Sequence, residues 1–251
     1  ACDGHTDGLA NRSGLVGRRL MLHPLLSVAG LFDEQLQGWQ AHAGGLIQSL
    51  QFAASDPTRG YIGSTKWVLS TAGGPIRSLF APPDTAGVWG DAHHRHVAER
   101  LGRTASWIIL VEDLPDEDNR VELSPTVADD DGVPAPRITY RIADNTRRNM
   151  AFQIEHAETS LRAAGAWRTD VFTHPSNGHF MGTARMGHDP ERSVVDPWCV
   201  THDIANLLIV DGSVFVTAGA ANPTSTIAAL ALRASSHLVD RRSEVPTPSR
   251  A

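Results

Sequence analysis

Histidines, carboxylates, serines and a thiol are scattered along this chain, but few stand at spacings that chemistry needs. His93-His94-x-His96 offers imidazoles to a metal, yet no Cys, Asp or Glu set with zinc spacing stands beside it. It reads as a solvated face, and no metal site is expected. Asp129-Asp130-Asp131-Gly132 starts like a calcium loop but lacks the alternating ligands and the closing Glu, so it reads as a turn. Ser64, Ser193 and Ser213 lack a Gly-x-Ser-x-Gly elbow, which leaves hydrolase chemistry unsupported. Cys199, beside Trp198, has no partner at useful spacing and reads as a packed thiol. His202-Asp203 reads as a structural ion pair. No two glycines are separated by a single residue, so there is no Gly-x-Gly-x-x-Gly turn to cradle a pyrophosphate, and no Walker loop. That excludes a short-chain dehydrogenase, which the length alone would suit. What remains is a constellation: His179-Phe180-Met181-Gly182-Thr183-Ala184-Arg185-Met186-Gly187, then Ser193-Val194-Val195-Asp196, Asn206-Leu207-Leu208-Ile209-Val210-Asp211-Gly212-Ser213 and Asn222-Pro223-Thr224.

Composition bounds what this constellation can serve. The chain has 251 residues, 41% apolar and 20% charged, which is ordinary globular usage. Lys plus Arg number 22 and Asp plus Glu 28, a net charge of −6, so a nucleic-acid scaffold with a basic face is not expected. No stretch of 18 apolar residues occurs, and no transmembrane segment is expected. Two cysteines, Cys2 and Cys199, make no disulfide framework and leave the compartment open between periplasm and cytoplasm. The opening Ala-Cys-Asp-Gly-His-Thr has neither a basic nor an apolar leader region, and reads as the product of truncation.

The elements that would position these residues follow from periodicity. Ser106 to Val111 is a β-rich run of strand length; Arg120 to Leu123 and Arg137 to Ile142 alternate. Joined by acidic turns, the three predict an antiparallel meander. Asp144 or Asn145 predicts a helix cap, with Met150, Ile154, Ala157 and Leu161 on one face and Gly165 as the stop. Asn206 to Val210 predicts a strand buried on both faces, ended by Asp211-Gly212. Asn222 as N-cap and Pro223 at the first helical position predict a helix to about Leu238, apolar on most sides and therefore buried. Three short apolar stretches (Leu46 to Phe52, Trp67 to Leu69, Ile76 to Phe80) carry no assignment.

The constellation over 179–234 resembles, in order, spacing and residue type, the closing sequence of the glucose–methanol–choline (GMC) flavoprotein oxidoreductases. Ala10-Asn11-Arg12-Ser13-Gly14-Leu15-Val16-Gly17-Arg18 and Leu20-Met21-Leu22-His23 resemble the segment where that family's flavin domain hands over to its substrate domain. The Ala-Arg-Met-Gly after Thr183 is most similar to the bacterial sugar and polyol dehydrogenase branch. The resemblance implies an α+β substrate domain (antiparallel sheet with helices) plus the C-terminal portion of an α/β FAD-binding domain. Residues 1–25 and 171–240 would belong to the FAD-binding domain, 26–170 to the substrate domain, and 241–251 would form a disordered tail. The family's N-terminal Rossmann half has no counterpart here, so a missing N-terminal half or partner chain is implied, without which the chain would be inactive. The implied reaction oxidises a CH–OH group of a sugar or alcohol, with hydride passing to N5 of FAD and an electron acceptor that the residues do not specify. By resemblance His179 is the general base and Asn222 its orienting partner, since a carboxamide binds oxygen but takes no proton. Asp211, Gly212, Asn222, Pro223 and Thr224 are the implied FAD contacts. Two rival readings are a non-catalytic fragment and a GMC-fold lyase whose flavin does not turn over.

Overall fold

A computed structural model describes residues 7–40, 47–70, 74–75, 89–174 and 178–241. Cys2, the stretch Ile76 to Phe80 and all of the expected tail except Arg241 lie outside the described residues.

The chain folds as α+β, with a five-stranded antiparallel sheet and three helices of ten residues or more among the described residues. In chain order the elements are β1 Leu25–Leu31, β2 Gln48–Ser49, β3 Thr65–Ser70, α1 Asp91–Arg100, β4 Thr104–Val111, β5 Arg120–Ala128, β6 Pro134–Thr139, α2 Asp144–Ala163, β7 Arg168–His174 and α3 Thr224–Asp240. The sheet order is β2-β3-β4-β1-β7. The expected three-strand meander is corrected by this order. β4 is paired on both sides, with β1 (Val28 opposite Trp107) and with β3 (Trp67 opposite Ile109). Only β5 and β6 pair with each other, as a separate two-stranded sheet. The apolar run Ile108 to Val111 suits a central strand buried among neighbours, whereas β5 and β6 form an exposed ribbon that leaves even Leu123, Val127 and Ile138 in water.

The helix expected from Asp144 onward is α2, and its spacing dictates the packing. Met150, Ala157 and Leu161 are buried, and with the half-buried Ile154 they cover Leu26, Val28, Trp67, Ile109 and Val111 on one sheet face. Met150 and Leu161 each contribute about 1.5–3 kcal/mol when removed from water, and Ala157 about 0.8 kcal/mol. Gln153 is buried on the same face, where its oxygen accepts from Trp67 Nε1 at 2.9 Å and its nitrogen donates to Tyr61 Oη at 3.0 Å and to Asn149 Oδ1 at 3.1 Å. A wrong register would strand all three groups. Arg100 of α1 and Asp170 of β7 form a buried ion pair at 2.6 Å.

Residues 184–234 build a second cluster from Ala184, Val194, Val195, Cys199, Val214 and Ala234. Here two expectations are corrected. Asn206 to Val210 forms no strand: Val200 bridges Leu208, Ile209 N–H donates to the Cys199 carbonyl at 3.0 Å, and Val210 is 39% exposed. A central strand needs neighbours on both edges, and among the described residues this segment pairs only irregularly with 199–201. Helix α3 is also largely exposed. Ala234 is its one buried residue among those described, while Leu232 is 70% and Val239 62% exposed, because no described element covers those faces. No described helix is long and apolar enough to cross a membrane.

Candidate active site

Three backbone segments converge on His179. Met21 and Met181 exchange N–H···O bonds of 2.9 and 3.0 Å, and Gly17 N–H donates to the Thr183 carbonyl at 2.8 Å. On the other side Gly182 and Ala184 donate to the carbonyls of Gly212 and Ser213 at 3.2 and 2.8 Å. Segment 181–184 is thus sandwiched between 17–21 and 212–213. Such closeness requires glycine at Gly182, whose φ is +92° and whose Cβ, if present, would overlap the Arg19 carbonyl oxygen and lie 2.8 Å from Met21 Cε. Gly212 is similar, since a Cβ there would sit 2.7 Å from the Phe180 carbonyl oxygen. His179 itself has φ +59°, a left-handed conformation that costs a non-glycine residue about 1–3 kcal/mol.

This scaffold brings four polar side chains together. His179 Nδ1 lies 2.9 Å from Nδ1 of His23, with ring planes at 78°. His23 Nε2 lies 2.7 Å from the Gly219 carbonyl oxygen. On the open side His179 Nε2 faces Asn222 Nδ2 at 3.5 Å, and Asn222 Oδ1 accepts from Lys66 Nζ at 3.1 Å. Burial pushes His23 down to about 4, and the adjacent His179 adds to this. His179 is also lowered, first by burial and then by the Lys66 ammonium. Both imidazoles are therefore neutral at pH 7, and His179 offers an unprotonated nitrogen to a half-open space.

The sequence-derived pair His179 and Asn222 thus meets across 43 residues of chain. Asn222 does not cap α3 with its side chain; Pro223 occupies the cap position and no side-chain cap bond forms. The correction has a physical reason, because the carboxamide is turned towards Lys66 and His179 instead. Asp211 precedes a single 3-10 turn, Gly212–Val214, and its Oδ1 accepts from Ser213 N–H at 2.8 Å. Gly212 and Pro223 are buried; Asp211, Asn222 and Thr224 are exposed. His23 and Lys66 were not singled out from sequence as site residues. His23 had a signal, since it ends the early segment Leu20 to His23. Lys66 had none, being one charge in an alternating strand.

The other candidates resolve otherwise. His96 accepts from Arg100 Nε at 2.8 Å on α1. Asp129 Oδ1 accepts from the N–H groups of Asp131 and Val133 at 3.0 and 2.9 Å, which closes a turn. The expected His202–Asp203 ion pair is corrected: Asp203 pairs with Arg12 at 3.3 Å, and His202 Nε2 meets Ser193 Oγ at 2.9 Å. Both residues stand in a bend, and each side chain finds a partner from a different segment. Cys199 is buried, and burial pushes its thiol up.

Comparison with known proteins identifies the family. Residues 115–231 match the family described as GMC oxidoreductase, through its C-terminal region. Over 247 residues the chain is 36% identical to 2-methyl-1,2-propanediol dehydrogenase of Mycolicibacterium austroafricanum, covering 96% of this chain and 45% of that protein. It is 30% identical over 244 residues to the fructose dehydrogenase large subunit of Gluconobacter japonicus, covering 96% and 44%. Among solved structures, pyridoxine 4-oxidase from Mesorbium loti superposes with a TM-score of 0.54 at 18% identity, covering 89% of this chain and 43% of that one. A formate oxidase of Aspergillus oryzae RIB40, studied for its FAD modification, gives a TM-score of 0.52 at 12% identity, covering 92% and 48%. At such identities the two structures speak for the fold alone. The chain spans under half the length of the curated relatives it matches. Members of the family are FAD-dependent, and these relatives are dehydrogenases of a diol and of a sugar. The chain belongs to the GMC oxidoreductases, of which it carries the C-terminal region.

Proposed function

We propose that this chain supplies the base-bearing, substrate-facing part of an FAD-dependent oxidoreductase acting on a CH–OH group of a sugar or alcohol. The observation that carries the reading is the meeting of His179 Nε2 and Asn222 Nδ2 at 3.5 Å, beside the Lys66 ammonium. A hydroxyl oxygen set beside this long contact, about 2.8 Å from each nitrogen, can give its proton to Nε2 and accept from Nδ2. His179 Nε2 removes the hydroxyl proton; Asn222 and Lys66 hold the oxygen as charge develops on it. Bound FAD would supply the two-electron acceptor for the substrate's hydride.

Asp211, Gly212, Asn222, Pro223 and Thr224 are the residues proposed to hold that cofactor. Their chemistry fits it. The first turn of α3 has no side-chain cap, so its N–H groups are free to meet a flavin carbonyl or ring charge, and the helix end contributes roughly 0.3–1 kcal/mol to stabilising it. Gly212 keeps side-chain atoms away from the place where 179–182 and 211–213 close together. In this reading residues 1–25 and 171–240 complete an FAD-binding domain and 26–170 form the substrate domain. The pyrophosphate-binding turn comes from polypeptide outside this sequence, in the same chain or a partner, because no Gly-x-Gly occurs here. The exposed side chains of Val210, Leu232 and Val239 support such a cover. The named large subunit among the relatives supports a further electron-accepting partner.

The test is anaerobic mixing of the flavin-loaded natural enzyme with diols and ketohexoses. Bleaching of the flavin band supports the reading. His179→Ala retains flavin and loses about 10²–10⁴-fold in reduction rate. Full-rate reduction by His179→Ala overturns the base assignment; product without bleaching marks a lyase, and a colourless preparation marks a non-catalytic chain.

A further inference from the structure

We propose that His23 is a positioning residue that fixes His179 in the tautomer with a bare Nε2. It does so as part of a hydrogen-bond chain that runs one way from Lys66 through Asn222, His179 and His23 to the carbonyl of Gly219. The catalytic meaning of this chain rests on the reading of His179 as base, but the tautomer itself does not.

The direction follows from the two ends. A carbonyl oxygen only accepts, and that of Gly219 lies 2.7 Å from His23 Nε2, so Nε2 carries the hydrogen. A neutral imidazole has one N–H, which leaves His23 Nδ1 as a lone pair. That lone pair lies 2.9 Å from His179 Nδ1, so His179 Nδ1 carries the hydrogen and donates it. His179 Nε2 is then bare. The opposite end gives the same result independently. An ammonium only donates, and Lys66 Nζ lies 3.1 Å from the side chain of Asn222, so Asn222 presents its oxygen to Lys66 and its NH2 to His179. A nitrogen that faces an NH2 group is an acceptor.

Burial makes the arrangement rigid. His23 is 1% exposed, so water cannot replace His179 as its partner, and its lowered pKa keeps it neutral. The edge-on meeting of the rings aims the N–H of one in its own plane at the nitrogen of the other. The chain also ends at a group that takes no proton. When a hydroxyl O–H breaks and an Nε2–H forms, the proton stays on His179, whose Nδ1–H remains donated to His23. His23 thereby orients the base and supports the imidazolium without accepting its charge.

The tautomer can be read directly by nitrogen-15 NMR of the chain labelled at histidine, above pH 7, with His179 assigned by its loss in His179→Gln. The expected wild-type signal is Nδ1–H with bare Nε2. His23→Asn, whose side-chain oxygen reaches the place of Nδ1, keeps that tautomer; His23→Leu gives a mixture. In the flavin-loaded enzyme His23→Leu keeps its flavin and its KM but reduces it about 100-fold more slowly or worse, and His23→Asn recovers part of that loss. An Nε2–H tautomer in the wild type, or an unchanged tautomer in His23→Leu, overturns the proposal. Should His23→Leu fail to fold, the wild-type and His23→Asn spectra decide. Full activity of His179→Ala would remove the base role while leaving the tautomer result standing, so the two failures are distinguishable.

Discussion

Replacing Gly182 with alanine isolates the backbone approach on which the site depends. The residue has φ +92°, and its added methyl would overlap the carbonyl oxygen of Arg19. A left-handed alanine costs about 1–2 kcal/mol by itself. Relieving the overlap must separate segment 17–21 from 181–184, which strains the two Met21–Met181 hydrogen bonds, each worth about 0.5–1.5 kcal/mol net. The sum is roughly 2–5 kcal/mol. Gly14 gives a matched control, for its φ is +67° but nothing lies within 4 Å of a Cβ built there. Gly14→Ala should therefore lose only the conformational part, about 1–2 kcal/mol. The difference of about 2 kcal/mol corresponds to a melting temperature roughly 4–8 °C lower for Gly182→Ala than for Gly14→Ala. Calorimetry of both variants measures it. Equal destabilisation would show that the close approach of the strands contributes nothing, and with it the account of how His23 reaches His179.

Three further perturbations have clear signs. His23 is charged at low pH when unfolded but held down to about 4 when folded, so the unfolded chain binds more protons between pH 6.5 and 4. Stability from this group is complete above 6.5 and is lost as pH falls, by about 3 kcal/mol; urea unfolding should show that loss shrinking in His23→Asn. Asp170→Ala leaves the Arg100 guanidinium buried without its carboxylate and should cost about 3–5 kcal/mol, whereas Arg100→Met combined with Asp170→Leu should cost less; a larger loss in the double variant refutes the desolvation argument. Lys66→Met removes the cation that helps lower His179, so the acid limb of the pH profile for flavin reduction should move to higher pH, and a shift the other way would contradict the assigned contact.

Some of this protein is written locally, and there the sequence is enough. Helix α2 follows from apolar residues at helical spacing ended by Gly165, and β4 from an unbroken β-rich run. The Asp129 turn needs no partner beyond its own loop. The proposed pair His179 and Asn222 is legible because each residue sits inside a motif that carries its own context. Pairing is different, because a strand's edges are alike whichever neighbour takes them. The sequence places β4, β5 and β6 one after another, yet β4 pairs with β1 and β3, which come earlier in the chain. The same holds for burial. Leu207 to Val210 and α3 have the apolarity of buried elements, but burial is a property of what lies alongside, and little described structure does. Lys66 shows this most plainly. Its type and strand position mark only a half-buried lysine, and its contact with Asn222 exists because tertiary folding sets β3 against the segment that leads into a helix, 156 residues away. Local periodicity is decided by neighbouring residues and survives in the sequence; convergence of distant side chains is decided by packing, and only the folded chain contains it.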